Sequence, residues 1–283
     1  MTSPRVLLKA WNLRPRKRMG QNFLANANIA QQIVARAGVA AEDVVLEIGA
    51  GLGALTIPIA QRAARVFAVE KDRHLTKLLQ TELAAQRIAN VVLLEKDIRQ
   101  VDLQKLAQTT DRGLLVMGNL PYNLSSQILV GLIDARRFVQ RAVLMFQKEL
   151  AQRLLAQPGG RDYGRLGVML RYCAEVSSLV DVKATQFFPQ PQIDSTVLDV
   201  RFRRHYDYPA RDEAMLFHVV KAAFAQRRKT LKNSLAGSQL PIDAHQAMEA
   251  LHASDIDPGR RAETLAIPEF VALSNCLSHM LGD

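Results

Sequence analysis

The sequence predicts an α/β fold, a largely parallel sheet covered on both faces by helices, followed by a small all-α domain. Short apolar runs alternate with helix-patterned stretches over the first two thirds of the chain, and the first run enters a glycine-rich turn. Beyond Arg204 the alternation stops and the pattern is helical only. With 283 residues, 48% of them hydrophobic, the chain can bury one large core and a second smaller one.

The elements follow in order. No acid precedes Glu42, while Arg5, Lys9, Arg14, Arg16, Lys17 and Arg18 crowd the start, so residues 1–13 read as a basic N-terminal extension. An organelle transit peptide shares that composition. This segment is short and serine-poor and leads straight into Gly20-Gln21-Asn22-Phe23-Leu24, which favours a cytoplasmic protein with a basic arm. Residues 29–37 carry apolar positions at helical spacing and stop at Gly38, a C-cap residue. Strand-like runs then occur at 44–48, 66–70, 91–94, 114–117 and 142–146, separated by helical stretches such as 75–85 and 125–133. Residues 176–182 and 197–202 bracket a proline-containing loop and suit a hairpin-like pair closing the sheet edge. Tyr206-Asp207-Tyr208-Pro209 is a break, and helices are expected at 213–225, 244–252 and 268–280. The expected domains are therefore 14–205 and 206–283.

A net charge of +10 and a pI near 9.9 call for a polyanionic partner. The cations lie in several clusters instead of along one amphipathic helix, which favours nucleic acid over a membrane surface. No apolar run approaches the ~20 residues of a membrane span. Cys173 and Cys276 lack paired spacing and the six histidines form no ligand motif, so neither a disulfide framework nor a metal site is expected.

Residues 44–53 form a buried strand running into Gly49-Ala50-Gly51-Leu52-Gly53 and then a helix. Glycines there permit a tight turn and close ligand approach beside unpaired helix N–H groups. Glu70 ends the next strand, placed to accept hydrogen bonds from ribose hydroxyls. With Ala54 completing a G-x-G-x-x-A pattern, a nicotinamide or flavin enzyme competes with this reading, as does a purely structural turn. Asp97 ends the third strand, where its carboxylate suits an adenine amine while the Ile98 backbone reads the ring edge. Acids at the ends of two successive strands describe an adenosyl ligand along the sheet's carboxyl edge, and S-adenosylmethionine fits better than a dinucleotide.

Gly118-Asn119-Leu120-Pro121-Tyr122-Asn123 follows the fourth strand. An aromatic amine is a poor nucleophile because its lone pair is delocalised, so a methyltransferase must hold it with acceptors. The Asn119 side-chain oxygen and the Leu120 carbonyl, stiffened by Pro121, suit the two amine hydrogens, and Tyr122 suits the base face. An adenine must be flipped out or unpaired to be reached, at a cost of a few kcal/mol. One aromatic face returns roughly 1–3 kcal/mol, and Phe188 is the candidate for a second face. A core tyrosine and a loop anchor are the plain readings of Tyr122 and Phe188.

Five ordered motifs resemble those of the ribosomal RNA small-subunit adenine dimethyltransferases. They are Gly20-Gln21-Asn22-Phe23-Leu24, the 47–53 turn, the 118–123 turn, Phe188-Pro189-Gln190-Pro191-Gln192-Ile193-Asp194-Ser195 and Arg227-Arg228-Lys229-Thr230-Leu231. The likeness runs from about Arg16 to residues 261–265. It implies a Rossmann-like class I S-adenosylmethionine-dependent methyltransferase sheet with a small C-terminal all-α domain. It also implies dimethylation of two adjacent adenosines in a hairpin near the 3′ end of small-subunit rRNA, by a monomer acting on an assembled small ribosomal subunit. Asn22 and Leu24 would close over the cofactor, with Gly49, Glu70, Asp97 and Asn119 as further contacts; Gln21, Gly51, Gly53 and Ile98 complete the expected cofactor-binding set. The extension before Arg14 has no counterpart in the resemblance.

Arg16, Lys17 and Arg18, and Arg227, Arg228, Lys229 and Lys232, are the expected RNA contacts. The last four, placed on one helix, would repel one another without a nearby anion. Arg136-Arg137 is better read as solvated surface. A large-subunit rRNA adenine methyltransferase shares the sheet motifs, but the long helical domain favours the small-subunit type. A DNA adenine methyltransferase would more often carry an acid at position 119. A non-enzymatic assembly or transcription factor would be expected to lose residues that are all present here.

Overall fold

The computed structural model describes residues 2–282 apart from the Lys17 side chain, and its first element departs from the expected arm. Residues Pro4–Ala10 form helix α1, started by Pro4 and anchored by buried Leu7 and Leu8. The charge count conceals this packing, because the two leucines occupy one side of a single helical turn otherwise rich in cations. Strand β1 (Phe23–Leu24) follows, then α2 (Ala27–Ala37). The Asn26 side chain caps α2, Gly38 ends it at φ 61°, and Ala30, Ile33, Val34 and Ala37 form its buried stripe.

The main sheet begins with β2 (Val44–Ile48), then α3 (Thr56–Ala60), β3 (Arg65–Glu70), α4 (Arg73–Ala85), β4 (Val91–Glu95), α5 (Leu103–Ala107), β5 (Leu114–Asn119), α6 (Ser125–Asp134) and β6 (Val139–Gln147). After α7 (Lys148–Leu155) and α8 (Arg165–Cys173) come β7 (Ala174–Val182), β8 (Phe187–Phe188) and β9 (Ser195–Phe202). The order is β4-β3-β2-β5-β6-β9-β7. From β4 through β3, β2 and β5 to β6 the strands run parallel, with a register shift between Leu114 and Leu115 where β5 meets β6, and β9 is antiparallel to β6. All five side chains of β2 are buried, which is why its sequence is an apolar run without alternation. A separate two-stranded sheet pairs β1 with β8, placing Phe23 opposite Phe188.

The chain divides into two compact units, Met1–Ala151 with Glu175–Phe202, and Gln152–Ala174 with Arg203–Asp283. The second unit thus draws in a segment that a contiguous boundary near 206 leaves out, since α8 packs on α9 (Glu213–Ala223). Its other helices are α10 (Leu231–Ala236), α11 (Ala244–Ala253) and α12 (Ile267–Leu281), with α12 packed on α9 and α11. Tyr163, Phe224 and Phe270 form its aromatic centre. No helix among the described residues is long and apolar enough to cross a membrane.

Candidate active site

The carboxyl edge of the parallel strands opens on one cleft in the first unit. Arg18, Gln21, Asn22, Leu24, Gly49, Gly51, Glu70, Asp97, Ile98, Asn119, Leu120, Pro121 and Tyr122 all line it. Gly53 and Phe188 do not. Gly53 sits at φ +84° with its α-carbon facing α4, where a β-carbon would come within 2.6 Å of Leu79. It lets helix and sheet approach and is a packing glycine.

Gly49 and Gly51 turn the chain at φ 77° and 54°, backbone open to glycine at little cost. The Gly51 N–H donates to Glu70 Oε2 at 2.9 Å, and the Asp72 N–H donates to Oε1 at 2.8 Å. Glu70 is buried, and burial raises its pKa against these two donors. Each oxygen thus accepts one main-chain N–H, and the carboxyl lines the cleft. Gly118 brings β5 against β2, because a β-carbon there would stand 2.5 Å from the Ile48 carbonyl oxygen.

Asp97 is differently placed. Arg99 grips it through Nε at 2.9 Å and Nη2 at 2.7 Å, its own N–H adds a third bond, and Lys71 Nζ a fourth at 3.0 Å. The Arg99 guanidinium holds this carboxyl far below the usual carboxylate range. Its oxygens are saturated, so an incoming amine must displace one of these donors.

Sequence reasoning missed how the 16–24 segment is fastened. Gln21 Nε2 donates to Asp72 Oδ2 at 3.2 Å, and Arg16 pairs with the same oxygen at 3.2 Å. Arg16 is thereby engaged in fastening this segment to Asp72, with half of its side chain exposed, while the Lys17 side chain lies outside the described residues. Asp72 carried no motif, but its place just after Glu70 at the start of α4 is a helix N-cap signal, and it caps His74 N–H. The Asn119 side-chain N–H donates to the Asn22 carbonyl at 2.9 Å, which turns Oδ1 away as an acceptor.

Phe188 packs with Leu13 on the cluster of Leu7, Leu8, Phe23, Leu52, Leu75 and Leu78, and the Arg5 guanidinium lies 5.2 Å from its ring centroid. Glu47, on β2, also lines the cleft. It is wholly buried, its Oε2 has no hydrogen-bond partner among the described residues, and burial raises its pKa to about 7. The quartet 227–232 is not on one helix. Arg227, Arg228 and Lys229 occupy the turn after α9, and Lys232 lies in α10. Arg227 pairs with Glu263 and with the Arg161 carbonyl, so it braces its own unit. Among the described residues no cluster of three or more histidines, cysteines or carboxylates is set for a metal ion.

A family profile described as ribosomal RNA adenine dimethylase matches residues 12–279. The chain belongs to the ribosomal RNA adenine dimethylase family. Relatives named ribosomal RNA small subunit methyltransferase A share 50% identity in Desulforapulum autotrophicum, covering 100% of this chain and 99% of that protein. In Magnetococcus marinus the identity is 44%, over 96% and 95%. A dimethyladenosine transferase from Plasmodium falciparum superposes with a TM-score of 0.75 at 24% identity, over 89% of this chain and 95% of that one. The 23S rRNA methyltransferase ErmE superposes at 0.67 and 24% identity, over 90% and 99%. These two likenesses establish the shared fold, the Rossmann-like methyltransferase sheet. Helix α1 lies ahead of the residues that the adenine dimethylase profile matches.

Proposed function

We propose that this chain dimethylates the exocyclic amines of two adjacent adenosines in a hairpin near the 3′ end of small-subunit rRNA, in the cytoplasm and on an assembled subunit. One observation carries the chemistry: the Asn119 amide, fastened through its N–H to the Asn22 carbonyl, offers Oδ1 at the cleft edge as an amine acceptor. The Leu120 carbonyl takes the second amine hydrogen. Drawing on both N–H bonds returns lone-pair density to the nitrogen, and positioning supplies most of the rate.

The cleft suits S-adenosylmethionine. A buried carboxylate with lone pairs left over, Glu70, fits a ribose diol, and the Gly49–Gly51 turn leaves backbone room beside it. Bound there, that cofactor supplies an electrophilic methyl on a cationic sulfur. Asn119 aims the amine at it, Tyr122 walls the base, and the proton leaves to solvent after transfer. Leu24, fully buried, and Phe23 keep water from the reacting atoms. Asp97 fits the adenine amine once Lys71 or Arg99 withdraws. Phe188, which packs beside the α1 leucines and does not line the cleft, is the proposed second face for the base. Arg18, Arg228, Lys229 and Lys232 are the RNA contacts in this reading.

The small-subunit assignment is favoured over a large-subunit one by the relatives at 40–50% identity, all named for the small subunit. The test is to incubate the protein and labelled S-adenosylmethionine with unmethylated small subunits or naked rRNA and to map the product. Label at adjacent adenosines of the subunit is expected, and label elsewhere or none refutes the assignment. Asn119→Ala should bind subunits normally and transfer nothing measurable.

A further inference from the structure

Tyr122 is held at both ends. Its carbonyl accepts the Ser125 hydroxyl at 3.0 Å, and its phenol oxygen lies 2.9 Å from Ser195 Oγ. Ser195 comes from a different part of the chain, the first residue of β9, paired with Gln147 at the end of β6. It is fully buried, and its neighbour Asp194 is locked in turn. The Asp194 carboxylate accepts the Ala184 N–H at 2.9 Å, and its carbonyl accepts the Lys148 N–H at 2.9 Å. The Ser195 hydroxyl is therefore mounted on the most rigid part of the site, the sheet, whereas Tyr122 stands on a turn.

A half-buried ring on a turn has two side-chain torsions to settle. Packing alone restrains them loosely where one face must stay open for a base. A hydroxyl tether to the sheet fixes the direction in which the ring points without occupying that face. Burial of Tyr122 also raises its pKa, so the phenol stays protonated and able to donate or accept across the working range.

We infer that Ser195 is a positioning residue for base recognition: its hydroxyl holds the Tyr122 phenol so that the ring is already set as a wall when the adenine enters. This rests on the reading of Tyr122 as the base wall. The sequence motif ending Gln192-Ile193-Asp194-Ser195 thereby acquires a purpose that neither the cofactor cleft nor the amine clamp uses.

The experiment is a double-mutant cycle of Ser195→Ala and Tyr122→Phe, with Tyr122→Leu beside it, on unmethylated small subunits. Cofactor affinity is followed by calorimetry, melting temperature by scanning, and kcat and KM separately. Each single variant of the cycle should lower kcat about fivefold to tenfold, the worth of one hydrogen bond, with cofactor Kd unchanged. The double variant should fall no further, because both changes cut the same tether. Tyr122→Leu should lose considerably more. If Ser195→Ala keeps full kcat while Tyr122→Leu is crippled, the tether is overturned and the wall stands. If the two losses multiply, or Ser195→Ala acts only through melting temperature, the positioning role is overturned. Full activity in Tyr122→Leu removes the wall itself.

Discussion

Glu47 offers the sharpest test of the site's electrostatics. It is 1% exposed on β2 and burial raises its pKa from an ordinary 4.5 to about 7. Below 4.5 the carboxyl is protonated in folded and unfolded chains alike, and it contributes nothing to the pH dependence. Between 4.5 and 7 the unfolded chain releases this proton and the folded one keeps it, so the folded state binds more protons and stability falls as pH rises. Above 7 both states are ionised and the penalty is constant. At about 1.4 kcal/mol per tenfold change in acidity, the full penalty is about 3 kcal/mol. Glu47→Gln, nearly isosteric and uncharged, removes it. Urea denaturation of both proteins from pH 5 to pH 8, without ligand, should show the variant gaining about 2.5 kcal/mol on the parent over that span, the rest of the penalty having developed below pH 5. A difference between the two that stays flat with pH would refute the buried carboxyl held protonated by desolvation.

Glu70→Gln leaves one acceptor for the Gly51 and Asp72 N–H groups, which sit at 2.9 and 2.8 Å, and turns an amide N–H against one of them. Calorimetry should show S-adenosylmethionine binding about 10-fold to 100-fold weaker, from about 1.5–3 kcal/mol lost, and an unchanged Kd would refute the cradle. Gly118→Ala forces a β-carbon to within 2.5 Å of a main-chain oxygen of β2. It should cost about 1–3 kcal/mol in urea denaturation and weaken cofactor binding with it, and full stability would contradict the close strand approach. Neutralising Arg228 and Lys229, both exposed, should reduce the slope of log K for small-subunit binding against log salt by about 1.5. Arg227→Ala should instead lower melting temperature through Glu263, and an unchanged slope in the first variant would remove the turn from the RNA interface.

The sheet was legible because a strand buried on both faces must be a continuous apolar run, as the centres of β2, β3, β5 and β6 are, while β4, an edge strand with no buried residue, is apolar as well. The 118–123 turn and the acids at strand ends were legible because position on a strand follows directly from such a run. Helix α1 was not, since two buried leucines among cations give no periodic signal over seven residues. Nor was the β1–β8 pair, since two-residue strands have no period at all and their partners lie far apart in sequence. The same distance hid the Tyr122–Ser195 contact, the pairing of Arg16 and Gln21 with Asp72, and the Arg141–Asp199 ion pair. Charge is read from a sequence as a sum, whereas its partners are set by folding.

The identity of residue 119 follows from geometry independently of any relative. The segment carrying Asn22 and Leu24 is held over the cleft by β1 on β8, by Gln21 and Arg16 on Asp72, and by the Asn22 carbonyl on the Asn119 amide. An aspartate at 119 would keep an acceptor for the adenine amine but bring its second oxygen against that carbonyl, acceptor to acceptor, with no donor between them. An alanine would lose both bonds. Asparagine offers the covering segment a donor and, in the proposed function, the substrate an acceptor, on separate atoms diverging from one rigid plane. In the proposed function, the segment that would cover the methyl donor therefore also orients the group that would grip the amine, so covering the cleft and aiming the nucleophile are one step.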